Sequence, residues 1–191
     1  MEGELQLNLR QIVQALEGNL GWRSRWNGEA TLENGLFFAG AARYSGSIGI
    51  SEMLFADHDL RWRTLIHEAL HTFSPQYTHM TYLSARGWEE GVVEQMQRLL
   101  RPTILTSLGV IVSEEVNTAV ERGHPYNKYI APLEDLRLRL GDEAANFYRA
   151  LLATPLPDRA MRMKQSGILL DAADQQEFST ALLKAVLVLS R

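Results

Sequence analysis

The chain has 191 residues, 46% of them hydrophobic and 22% charged, with a formal net charge of −4. That length and apolar content suffice for a buried core and exclude a disordered or fibrous protein, while the acidic balance makes nucleic acid and anionic membrane surfaces poor partners. Cysteine is absent, which removes disulfides, thiolate catalysis, zinc ribbons and Fe–S clusters and leaves imidazole and carboxylate as the strong metal ligands.

Leu5, Leu9, Ile12, Val13 and Leu16 recur at helical spacing, so the chain is expected to open with an amphipathic helix that stops at Gly18. This opening lacks the basic start and unbroken apolar run of a signal peptide, and no stretch approaches the roughly 18 apolar residues of a membrane span. A cytoplasmic location is the expectation. From Ala30 the pattern turns strand-like. The Asn34-Gly35 pair suits a tight type I′ hairpin turn, and strands are expected over 36–44 and 47–53, giving a small antiparallel sheet.

Asp57 and Asp59 can each cap a helix, and the remainder reads as helices over 60–73, 85–100, 104–121, 126–140, 142–152 and 172–189. Breaks fall at Pro75, Pro102, residues 123–125 and Gly141, and the segment 155–167 reads as the longest loop, with Arg159 to Lys164 as its solvated basic edge. The expected fold is α+β in a single domain spanning 1–191. Its first part, 1–73, holds the opening helix, the sheet and one functional helix, and 74–191 forms a helical half.

Chemistry concentrates in Thr64-Leu65-Ile66-His67-Glu68-Ala69-Leu70-His71, which contains His-Glu-x-x-His. At about 100° per residue, two histidines four apart lie one turn along the same helix face, roughly 40° from each other, so both can reach one ion. Trp62, Leu65, Ile66, Ala69, Leu70 and Phe73 form an apolar stripe on roughly the opposite side. A third ligand is available in Gly87-Trp88-Glu89-Glu90-Gly91 on the following helix, where 18 residues separate His71 from Glu90. Glu89 lies nearer the Val92, Val93, Met96 and Leu99 stripe, where a charge is costly without a partner, whereas Glu90 shares a face with Glu94 and Gln97.

These residues resemble the gluzincin zinc metallopeptidases, including the small minigluzincins. Members take two zinc ligands from the His-Glu-x-x-His helix and a glutamate from a later helix. The resemblance covers about residues 48–94 and implies a zincin-like fold with zinc held by His67, His71 and Glu90, although Glu89 stands where some members carry Asn. It also implies that Glu68 is the general base for a metal-activated water and that Glu94, four residues after Glu90, steadies a zinc-bound histidine. A strand close to residues 47–51 would lie at the sheet edge and pair with an extended substrate. Members add a downstream oxyanion donor, for which Tyr126 is the choice and Tyr129 and His124 the alternatives.

The expected partner is therefore a peptide or protein, cleaved internally, because the acidic amine-reading segment of the clan's aminopeptidases has no counterpart near Gly40-Ala41-Ala42-Arg43. A non-catalytic zinc-binding scaffold is the alternative. His58 and His79 read as a helix-start and a loop residue, and the four tryptophans as core and wall.

Overall fold

The computed structural model describes residues 1–34 and 40–190. The fold is α+β, and the chain forms two compact units, one from Met1–Phe73 with Gln97–Gly123, the other from Ser74–Met96 with the residues from His124 onward.

In the first unit, α1 (Glu2–Leu20) buries Leu5, Leu9, Ile12, Val13, Leu16 and Leu20 along one stripe. It runs through Gly18 and ends at Gly21, whose φ of 83° is the left-handed conformation that terminates helices and that glycine adopts without a Cβ penalty. Three short strands follow: β1 (Ala30–Glu33), β2 (Gly40–Ala42) and β3 (Ile48–Ser51).

The sheet is mixed rather than antiparallel. Its order is β1-β3-β2, with β1 parallel to β3 and β2 antiparallel to it. Ile48 and Ile50 are apolar on one face, while Gly49 and Ser51 are small on the other, so β3 is buried at every position and takes a partner on each side. Among the described residues β3 separates β1 from β2, which do not pair with each other. The Asn34-Gly35 turn itself, and the 36–39 portion of the expected second strand, lie outside the described residues. The centrality of β3 also corrects its expected role as a substrate-pairing edge: among the described residues the edges are β1 and β2.

After a short α2 (Glu52–Ala56), Asp57 caps α3 (His58–His71), its carboxylate accepting from the amides of Asp59 and Leu60 at 3.0 and 2.9 Å. Helix α3 packs on α1, on β2 and β3, and on α5 (Glu114–Arg122), burying Trp62, Leu65, Ile66, Ala69 and Leu70.

Helix α4 (His79–Leu108) passes from the second unit into the first. It has a break at Ala85 (φ −141°, ψ 30°) and continues through Pro102, which was expected to end it. A proline removes one hydrogen bond to the residue four back, and burial of Ile104 and Leu105 just beyond keeps the helix in place. The helix expected over 104–121 is accordingly the end of α4 plus α5.

The second unit adds α6 (Asn127–Leu140), α7 (Ala144–Ala153), α8 (Arg159–Gly167) and α9 (Ala172–Leu189). Here α9 packs on α6 and α8. The segment expected as a long loop is a 3-10 turn over Leu156–Asp158 followed by α8, and Arg159 is fully buried rather than solvated. Two glycines of α4 allow close approach. A Cβ at Gly87 would stand 2.6 Å from Leu189 Cα, and one at Gly91 would stand 2.9 Å from Leu133 Cδ1 and 3.1 Å from the Tyr129 carbonyl oxygen.

Candidate metal centre

His67 and His71 project from one face of α3, with Nε2 atoms 3.3 Å apart and rings at 78° to each other. Two nitrogens at the usual zinc distance in a tetrahedral shell stand about 3.3 Å from one another, so the imidazole pair fits such an ion. One ligand atom from each of His67, His71 and Glu90 lies within 4.8 Å of the others. The donor set is two nitrogens and a carboxylate oxygen, which suits a borderline metal such as zinc and also the other imidazole-binding divalent ions.

Glu68 lies between the two histidines in sequence and is buried. Its Oε2 accepts from the Ala42 amide at 2.8 Å. Ala41 and Arg43 carry the β2–β3 pairing, since the Arg43 amide donates to the Ser47 carbonyl at 2.7 Å, which turns the Ala42 amide to the outer edge of β2. Gly40 makes room for this carboxylate, because a Cβ there would come within 2.6 Å of Glu68 Cγ. The sheet therefore fixes Glu68 through a backbone donor and a missing side chain. Neither signal is visible in a sequence without knowledge of which strand is the edge.

In the second unit the structure separates the two adjacent glutamates. Glu89 is fully buried and its Oε2 receives Arg159 Nη1 at 2.8 Å and the Ser74 hydroxyl at 2.9 Å. Arg159 also donates to Ser74 Oγ and to the Trp88 carbonyl, at 2.8 and 3.0 Å. Burial pushes the Arg159 guanidinium below its ordinary range, and the Glu89 charge opposes that shift. Glu90 is buried as well, but its Oε1 accepts from the Tyr82 phenol. That contact depends on the break at Ala85, since residues eight apart on an unbroken helix stand about 12 Å apart along its axis. Burial, followed by the charge of Glu90, holds the Tyr82 phenol well above the usual tyrosine range. For the same reason helical spacing alone does not pair Tyr82 with Glu90, and nothing local to Arg159 marks it as the partner of Glu89.

Tyr126 caps the start of α6 and is half-buried, with its ring 5.0 Å from that of His124. It accepts a hydrogen bond from the Arg86 guanidinium. Tyr129 is buried against Gly87 and Gly91, and His124 Nδ1 faces the Tyr126 amide at 3.3 Å and Glu94 Oε1 at 3.9 Å. His58 contacts the Ile111 carbonyl at 2.9 Å, and His79 begins α4 rather than lying in a loop.

Comparison with protein-family models, curated proteins and solved structures yields no match. Among the described residues, no helix is long and apolar enough to cross a membrane.

Proposed function

We propose that the chain is a zinc-dependent metallopeptidase with a zincin-like fold, in which His67, His71 and Glu90 hold the metal. The observation that carries this reading is the gathering of those three ligand atoms within 4.8 Å, two of them on the histidines that the His-Glu-x-x-His spacing picks out independently. A bound zinc supplies acidification of a water and polarisation of the substrate carbonyl.

The protein's own side chains do the rest. Glu68 is the general base, accepting the water proton and returning it to the leaving amine. The Ala42 amide fixes Oε2 of that carboxylate at 2.8 Å, which sets the orientation in which Oε1 works. Tyr126 donates from its phenol to the developing oxyanion. Tyr82 holds Glu90 Oε1 and so orients the third ligand, as partners of metal-bound carboxylates do. The substrate is a peptide or protein chain.

Elemental analysis of purified protein and cleavage of a denatured protein substrate test the reading. Stoichiometric zinc that falls away in His67→Ala, with cleavage lost and zinc retained in Glu68→Gln, is the expected result. Zinc binding without cleavage of any denatured substrate by the parent protein favours the scaffold, and metal content unchanged in His67→Ala overturns the site.

A further inference from the structure

Beside the proposed ligand Glu90 lies a cation held chiefly by aromatic groups. Arg86 sits one turn before Glu90 on α4 and is exposed. Its guanidinium stands 6.0 Å from the centre of the Tyr82 ring, within cation–π range, and it donates to the Tyr126 phenol. The charge of Glu90 also acts on Arg86, though less than the two tyrosines do, whereas Arg101, Arg137, Arg139 and Arg159 each engage a carboxylate directly.

The ring and the phenol restrict the side chain without neutralising it. One of the five donors of the fork is used by Tyr126, and the remainder can meet a carboxylate with two parallel hydrogen bonds. A cation fixed in advance loses less freedom on binding than a mobile one. The same Tyr82 touches both Arg86 and Glu90, so the cation lies about one helical turn, 5–6 Å, from the third ligand. At roughly 3.5 Å per extended residue, an anion bound there belongs one or two residues from the bond being cleaved.

We propose that Arg86 is a specificity-determining residue that binds a carboxylate of the peptide substrate close to the scissile bond, held ready by Tyr82 and Tyr126. The nature of this ligand rests on the peptidase reading. The carboxylate comes from the chain's C-terminus or from an Asp or Glu side chain, and the guanidinium serves both.

Calorimetric titration of the zinc-loaded Glu68→Gln protein, which binds without turnover, distinguishes the two sources. The probes are an acetylated tetra-alanine with a free C-terminus, the same peptide as its amide, and an amide carrying one internal Asp. One or both carboxylate peptides should bind about ten- to a hundredfold more tightly than the uncharged amide, the value of a charge-assisted hydrogen bond. The tighter of the two names the source. Adding Arg86→Met should abolish the preference, and Arg86→Lys should keep part of it. Equal binding of all three probes, no binding of any, or a preference that survives Arg86→Met overturns the inference. A parent protein that cleaves nothing but shows the Arg86-dependent preference sinks the peptidase reading alone. Cleavage without any carboxylate preference sinks the Arg86 inference alone.

Discussion

Glu89 and Glu90 are neighbours on one helix and both are buried, yet their surroundings differ in kind. Around Glu89, Arg159 brings a full positive charge and Ser74 a hydroxyl, all sealed from solvent. Around Glu90, Tyr82 brings a neutral phenol, and the carboxylate groups with the two imidazoles. A buried carboxylate already matched by a guanidinium has nothing to offer a metal, whereas one oriented by a phenol keeps its negative charge for coordination. Burial and position in sequence do not divide a structural acid from a candidate ligand here; the chemistry of the partner does.

The largest effect expected from this contrast is on folding. Arg159→Met leaves Glu89 as an uncompensated buried charge and should cost about 3–5 kcal/mol in urea unfolding, while the double variant Glu89→Met with Arg159→Met recovers most of it. Glu90→Gln keeps an acceptor for Tyr82 and should cost about 1 kcal/mol or less in metal-free protein. If Glu90→Gln proved as destabilising as Arg159→Met, the two acids would not differ as described. Metal addition reverses the ranking. Zinc at about a thousand times its dissociation constant should stabilise the parent by about 4 kcal/mol, and the same gain should appear in the double variant and vanish in Glu90→Gln.

A smaller effect probes how the glutamate helix meets its neighbours. Gly91→Ala places a methyl 2.9 Å from Leu133 Cδ1, a flexible tip, whereas Gly87→Ala meets the backbone of Leu189 at 2.6 Å. Overpacking of this kind costs about 1–3 kcal/mol, with Gly87→Ala the worse because backbone cannot step aside. Equal costs in thermal unfolding would mean that α9 yields as readily as a side chain. Gly91→Ala further sharpens the contrast if it weakens zinc binding, since it shifts the turn of α4 that carries Glu90.

Much of this arrangement was legible in the sequence because it is local. The His67 and His71 spacing, the Asp57 cap and the apolar stripes of α1 and α3 are set within a turn or two of chain. What escaped depends on partners distant in sequence. Asn34-Gly35 has hairpin chemistry, but strand order follows from β3 being apolar on one face and small on the other, which admits two neighbours. Pro102 removes only one hydrogen bond, and burial beyond it keeps α4 whole. Arg159 looks like an ordinary basic surface residue until Glu89, 70 positions earlier, supplies its charge partner. Helical periodicity sets Glu89 beside the apolar stripe of α4 but carries no sign of Arg159, the charge partner that lets it be buried there.

The smallest effect concerns Tyr82, on the Glu90 side of the contrast. Tyr82→Phe removes one donor to a buried carboxylate and should cost about 1 kcal/mol at neutral pH, together with a roughly ten- to hundredfold loss of zinc affinity if the phenol orients the ligand. Its pH dependence separates it from Ser74, the hydroxyl on the Glu89 side, which does not titrate in this range. Burial and the Glu90 charge raise the folded-state pKa of Tyr82 above its ordinary value of 10.0. Above that pH the unfolded chain loses the phenolic proton while the folded protein keeps it. The contribution is therefore fully present below about pH 10 and is lost as pH rises toward the folded value. In metal-free protein, unfolding free energy should fall more steeply between pH 9 and 11 for the parent than for Tyr82→Phe, and a Ser74→Ala variant should keep the parent's slope. Identical slopes in the parent and Tyr82→Phe would mean that the phenol does not carry its proton into the buried contact with Glu90, and the chemical distinction between the two acids would lose its support.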